Sequence, residues 1–130
     1  MPKAKAPRPT GAELEILNVL WRRGPATVRE VQEELRKSKP AMGYTTVLKL
    51  MQIMAGKNLV RRDERQRAHV YEARLAEEQT QAQLVGDLLE RAFKGSAKKL
   101  VLQALSSKQA SAEELAEIRQ LLDDFERGKR

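Results

Sequence analysis

The chain has 130 residues, with 25 Lys and Arg against 18 Asp and Glu, one His and no Cys. This length fits one domain, or a small domain with an appended segment. The lack of cysteine excludes disulfides, thiolate metal sites and thiol catalysis, and a single histidine argues against a histidine metal site or a catalytic triad. We therefore expect no enzyme, no cofactor and no bound metal, and the net charge of +7 indicates a polyanionic partner.

The positive charge is confined to the first part of the chain. Residues 1–74 hold 16 basic and 8 acidic side chains, whereas residues 75–130 hold 9 and 10. This asymmetry predicts a nucleic-acid-binding half followed by a half with another task. No apolar run is long enough to cross a membrane, and no apolar stretch follows the basic N-terminus as in a signal peptide. We expect a cytoplasmic protein that does not bind membranes.

A short arm and three helices are predicted first. Residues 1–9 are rich in Pro, Lys and Arg and predict a flexible basic arm, more typical of a solvated tail than of a phosphate contact. T-x-x-E capping boxes at Thr10 and Thr27 open the first two helices, and Gly24-Pro25 ends the first. The third helix covers about 44–57, and Asn58 tolerates the left-handed turn that follows it.

A β-hairpin and three more helices follow. The hairpin is predicted over residues 60–72, and because its charged tip lacks Gly we expect a loop longer than a two-residue turn. Helices then begin near Glu77, Ser96 and Ser111. The sequence therefore predicts a mainly α protein with a small β-hairpin.

Three helices followed by a hairpin is the order of a winged helix-turn-helix domain. We assign this domain to residues 10–73 and a C-terminal three-helix dimerisation region to residues 74–130. In such domains the third helix enters the major groove of DNA and the hairpin serves as a wing.

The third helix has one apolar and one polar face. Its apolar face spans about 100° of the helix surface, as expected for a core-facing stripe. That face is formed by Val47, Leu50, Met51 and Met54. Lysine can donate to guanine, glutamine can pair with adenine and a threonine methyl can contact thymine. The residues predicted to read bases are Thr45, Thr46, Lys49 and Gln52. The alternative is an ordinary solvated face.

Contacts to the DNA backbone are predicted at the start of this helix and on the hairpin. The residues are Tyr44, Arg61, Arg62, Arg65 and Arg67. The alternative is an edge hairpin that its charges protect from aggregation. Asp63 and Glu64 fit this alternative better, and both interpretations can hold together.

The last helix carries an apolar seam with spacings of three, four and three residues, typical of a helix that packs on a partner helix. The seam is formed by Leu115, Ile118, Leu122 and Phe125. About 55 residues cannot easily bury three apolar helix faces alone, so we predict a homodimer. The alternative is that this helix folds back on residues 84–105 of its own chain.

The sequence resembles a known family in three stretches: LNVLWRRGPATVREVQEEL at residues 17–35, YTTVLKLMQIMAGKNLVRR at 44–62 and AHVYEA at 68–73. They are similar to the penicillinase-repressor family, bacterial winged-helix repressors that include β-lactam-resistance repressors and copper-responsive relatives. The resemblance is strong over residues 10–73, and over 74–128 it extends to helix order and length.

The resemblance implies a homodimeric repressor of transcription that binds palindromic operator DNA, with Thr45, Thr46 and Lys49 at reading positions. In β-lactam-responsive members, a sensor's signal leads to proteolysis near an Asn-Phe bond. Gln103-Ala104 stands at the matching place here, so cleavage, protease and inducing signal are left open. The Cys cluster of the copper-responsive relatives is missing, which excludes thiolate copper sensing.

Two other functional classes are weighed against the repressor. The first is a winged-helix adaptor that binds RNA or protein and does not recognise a DNA sequence. The second is a nuclease or another enzyme, which the lack of clustered ligands makes remote.

Overall fold

The computed structural model describes residues 8–128, so most of the predicted arm at residues 1–9 lies outside the described residues. The chain divides into two compact units between Val85 and Gly86. The elements in chain order are α1 (Gly11–Arg23), β1 (Ala26–Thr27), α2 (Val28–Arg36), α3 (Tyr44–Gly56), β2 (Val60–Asp63), β3 (Val70–Ala73), α4 (Glu77–Arg91), α5 (Ala97–Ser107) and α6 (Ala112–Glu126).

The predicted helix starts are confirmed. Thr10 and Glu13 form a reciprocal capping box on α1, and Thr27 and Glu30 form the same box on α2. Each box satisfies amide groups that would otherwise lack partners at a helix start. Asn58, just after α3, has a φ of 65°, the left-handed conformation that the sequence indicated.

The hairpin is confirmed, and it belongs to a sheet of three strands in the order β1-β3-β2. Arg62 of β2 lies opposite Tyr71 of β3, and a six-residue loop at residues 64–69 joins the strands. Strand β1 was not predicted: Ala26 pairs with Tyr71, and Thr27 pairs with Val70. Two residues are too few to show an alternating pattern, so the sequence could not predict β1. The strand forms because the edge of β3 opposite β2 offers it backbone hydrogen bonds.

One hydrophobic core holds the first unit together. Helices α1, α2 and α3 contribute Ile16, Val31 and Met51, all fully buried, and the hairpin contributes Tyr71 at 1% exposure. The three faces meet because each helix repeats apolar residues at three- and four-residue spacing. This core fixes α3 by its inner face and leaves the outer face free.

The second unit has much less buried surface. Ser96 caps α5, and Ser111 caps α6 by accepting a hydrogen bond from the Glu114 amide. Within the described residues, neither α5 nor α6 has a fully buried side chain. Its large apolar side chains therefore remain largely in contact with water in the single chain.

Candidate nucleic-acid interface

Helix α3 presents the polar face that its sequence predicted. Val47, Met51 and Met54 are completely buried, whereas the four predicted base-reading residues are all exposed, namely Thr45, Thr46, Lys49 and Gln52. The helix carries no acidic residue. An outward face of donors without a carboxylate is compatible with the base edges and phosphates of a duplex.

The start of α3 differs from the starts of the hydroxyl-capped helices α1, α2, α5 and α6. Its cap residue is Gly43, which supplies no side-chain hydrogen bond to the first turn. The first amide N–H groups of a helix, together with its dipole, attract anions. Tyr44 follows, with 43% of its surface exposed, and the Arg29 guanidinium lies 5.3 Å from the centre of its ring.

An open cleft of ≈ 520 Å³ lies between the start of α2, helix α3 and the hairpin. It is lined by Arg29, Tyr44, Gln52, Arg62 and Arg67, together with smaller and apolar residues of the same elements. Its described lining includes no carboxylate. The tertiary structure therefore brings together predicted residues from α3 and from the hairpin, with three arginines around one concave surface.

Arg29 was missed by the sequence analysis. Its segment, Thr27-Val28-Arg29-Glu30, was interpreted only as a capping box. The available signal was the position of Arg29, a basic residue in the first turn of the helix that precedes the predicted reading helix. Its ring contact with Tyr44 could not be deduced, because the two residues belong to different helices.

The hairpin arginines fall into two classes. Arg65 is bound to Asp63, with Nη2 to Oδ2 at 2.7 Å, and Arg62 is bound to Glu64, also at 2.7 Å. Within residues 8–128, by contrast, Arg61 and Arg67 form no ion pair with an acidic side chain. The Arg65 hydrogen bonds hold the pKa of Asp63 at about 2, and hydrogen bonds to Tyr71 and then Glu64 raise the pKa of Arg62.

A partly buried ion pair joins the C-terminal end of α3 to α1. Lys57, at the end of α3, donates to both carboxylate oxygens of Glu13, at 2.8 and 3.0 Å. Burial by itself raises the pKa of Glu13, which is 2% exposed, but hydrogen bonds from Lys57 and the Thr10 amide lower it overall. Glu13, which forms the capping box of α1 with Thr10, thus also connects α1 to the C-terminal end of α3.

The predicted seam on α6 is only partly covered in the single chain. Leu115 and Ile118 are half-buried, while Leu122 is 57% and Phe125 61% exposed. Val101 and Leu102 of α5 are also exposed, as are Gln103 and Ala104 after them. This unit therefore leaves a group of large apolar side chains exposed in the single chain, and such groups often mark protein contact surfaces.

Residues 8–128 contain neither a candidate membrane-spanning helix nor a candidate metal site. None of their helices combines the length and the apolar character needed to traverse a bilayer. No group of three or more acidic or histidine side chains is arranged there to bind a metal ion.

Comparison with known proteins places these features in a family. The chain matches the penicillinase repressor family over residues 9–124. It is 27% identical to a penicillinase repressor of Bacillus licheniformis, over 97% of this chain and 98% of that one. It is 32% identical to the transcriptional regulator BlaI of Mycobacterium tuberculosis (strain H37Rv), over 96% and 90%.

Among solved structures, the DNA-binding domain of the repressor BlaI superposes with a TM-score of 0.50 and 25% identity, over 58% of this chain and 90% of that domain. The winged-helix fold class is thereby confirmed. The relatives are named as repressors and regulators of transcription, and none is named as an enzyme. On this evidence the chain belongs to the penicillinase repressor family.

Proposed function

We propose that this chain is a transcriptional repressor that binds operator DNA as a homodimer, with α3 in the major groove and the hairpin as a wing along the backbone. The observation that carries the proposal is the cleft in which Tyr44 and Gln52 of α3 meet Arg29, Arg62 and Arg67, with no carboxylate in its described lining. A duplex supplies what this surface lacks, because it presents base edges beside a row of phosphates.

Sequence recognition belongs to α3 in this proposal. Thr45, Thr46, Lys49 and Gln52 are the base-reading residues. Their backbone is held rigidly, since Val47, Met51 and Met54 are completely buried on the opposite side. A fixed helix favours discrimination, because a base contact depends on accurate placement of each donor.

Positioning belongs to the residues around α3. The proposed backbone contacts are Tyr44, Arg61, Arg62, Arg65 and Arg67, and we add Arg29 because it lines the same cleft. Such contacts orient a protein on the duplex without reading its sequence. Arg29 and Tyr44 act together, since the stacked guanidinium restricts both side chains beside the uncapped start of α3.

Dimerisation belongs to the C-terminal region, proposed as residues 74–130, with residues 10–73 binding DNA. The seam of Leu115, Ile118, Leu122 and Phe125 and the exposed apolar residues of α5 form the contact surface. A two-fold dimer would present two copies of α3 to a palindrome. The proposal implies a cytoplasmic protein, because a bacterial chromosome lies in the cytoplasm.

The test is selection of bound duplexes from a random-sequence library, followed by footprinting on the DNA upstream of the protein's own gene. We expect one enriched sequence with two-fold symmetry and a protected stretch that contains it. If no sequence is enriched and nothing is protected, the chain is an adaptor for RNA or protein and the repressor function is wrong.

A further inference from the structure

The hairpin carries two carboxylates, although a wing that contacts phosphates is expected to carry positive charge only. Asp63 and Glu64 stand between Arg62 and Arg65, and both are engaged with these arginines. We propose that Asp63 and Glu64 are specificity-determining residues that hold Arg65 and Arg62 in ion pairs and so limit the affinity of the wing for random DNA. This inference rests on the DNA-binding function proposed above.

The geometry of the Asp63 pair is that of a fork. The guanidinium of Arg65 donates from Nε at 3.0 Å and from Nη2 at 2.7 Å, and the Arg65 backbone amide donates to the same carboxylate at 3.0 Å. A bidentate carboxylate fork uses one of the donor pairs with which a guanidinium can bind a phosphate. Arg65 is 88% exposed, so solvent and a duplex can reach it, but its Nε donor, one Nη2 donor and its charge are already engaged by Asp63.

The Glu64 pair restrains the other arginine. The Nε and Nη2 atoms of Arg62 both lie 2.7 Å from Glu64 Oε2. Arg62 also lies opposite Tyr71 of the neighbouring strand in the β2–β3 register. Tyr71 is 1% exposed, so the strand position of Arg62 is fixed beside a core residue, while Glu64 neutralises its guanidinium.

Binding to random DNA depends on net positive charge at the phosphates, with each phosphate contact releasing about 0.9 counterion. An arginine that already faces a carboxylate adds almost no net charge, and removing it from that pair leaves the carboxylate beside the duplex. The base contacts of α3 do not depend on the net charge of the wing in this way. On random DNA a released arginine can contact any of many phosphates, because the protein binds in many registers. On the operator the base contacts hold the protein in one register, so the released arginine has fewer phosphates within reach.

Glu72 provides a matched control on the same hairpin. It lies opposite Arg61 in the β2–β3 register and is exposed. Within the described part of the chain it forms no ion pair. Asp63→Asn and Glu72→Gln therefore each remove one negative charge from the hairpin, but only the first releases an arginine fork.

The experiment measures binding of the full chain to a fluorescent random-sequence duplex between about 50 and about 200 mM KCl, the range in which counterion release dominates. We expect Asp63→Asn to bind about fivefold more tightly at 100 mM and to steepen the slope of log affinity against log salt by about one. Glu64→Gln should act in the same direction, and Glu72→Gln should change the slope by less than half as much. With the selected operator duplex, the gain for Asp63→Asn should be smaller.

A second variant tests whether the released arginine causes the gain. Asp63→Asn combined with Arg65→Ala should return the slope to the native value. Equal effects of Asp63→Asn and Glu72→Gln, or a gain that survives removal of Arg65, would overturn this inference while leaving DNA binding intact. A native chain that binds no duplex at any salt concentration would overturn the proposed function, and this inference with it.

Discussion

Lys49 and Thr46 project from the exposed side of α3, with completely buried Val47 next to Thr46 in sequence. Replacing Lys49 or Thr46 by Ala should therefore remove a contact without disturbing the core. We expect each variant to lose about 1–3 kcal/mol of discrimination between operator and random duplex, as for a good base contact. The measurement is the dissociation constant for both duplexes at one salt concentration.

Lys108→Ala is the control for the loss of one charge, because Lys108 is exposed in the second unit. It should leave discrimination unchanged. An equal loss of affinity for operator and random DNA in Lys49→Ala would show that Lys49 contacts phosphate only.

Arg29 and Arg67 line the same cleft and form no described ion pair with a carboxylate. For Arg29→Ala and for Arg67→Ala we expect weaker binding to every duplex and a salt slope shallower by about one. Discrimination should stay close to native, because backbone contacts do not read sequence. Arg36, exposed at the end of α2 and outside this cleft, is the control. An unchanged slope for Arg29→Ala would remove Arg29 from the interface.

The ion pair between buried Glu13 of α1 and partly exposed Lys57 after α3 joins these two helices. Glu13→Gln keeps an acceptor for the Thr10 amide but loses the charge that faces Lys57. We expect a loss of about 1–3 kcal/mol in the free energy of unfolding at pH 7, less than for a fully buried pair because Lys57 is partly exposed.

The pH dependence of this loss has a defined sign. The pKa of Glu13 is lower in the folded chain than its ordinary value of 4.5. Its stabilising contribution is therefore fully present above pH 4.5 and is lost as the pH falls through the folded pKa. Urea unfolding of native chain and Glu13→Gln, at one protein concentration, should show a gap that narrows below pH 4.5. A gap independent of pH would mean that the charge of Glu13 does not stabilise the fold.

At the scale of the whole molecule, the two units differ in how they are stabilised. The first has a buried core that runs from Ile16 to Tyr71, while α5 and α6 have no fully buried described residue. The exposed apolar residues on α6 favour the proposed packing against a partner helix. Leu122→Asp would bury an unpaired charge in that contact. We expect it to become monomeric in sedimentation while the first unit stays folded.

Operator affinity of Leu122→Asp should fall steeply, because two linked reading domains raise each other's effective concentration at the operator. Ala116→Asp adds the same charge on the opposite side of α6 and should remain dimeric. If Leu122→Asp is a dimer, the seam packs within its own chain and another surface holds the assembly.

Much of this architecture depends on residues close together in sequence, and those parts were predictable. Each capping box joins residues three positions apart, and the left-handed turn at Asn58 depends on that residue itself. The inner face of α3 follows from the spacing of apolar residues within that helix. Backbone geometry brings such positions together in any chain that forms the helix, so their contacts can be deduced without a tertiary structure.

The remaining features required the tertiary structure. Arg29 meets Tyr44 across two helices, Lys57 meets Glu13 from 44 residues away, and β1 forms only because Tyr71 lies beside it. Each of these contacts requires the core to close first, because only packing of the three helices against the sheet fixes the distances between elements. The buried and exposed faces of α3 could therefore be predicted from the sequence, whereas the cationic cleft beside it depends on how the fold brings α2, α3 and the hairpin together.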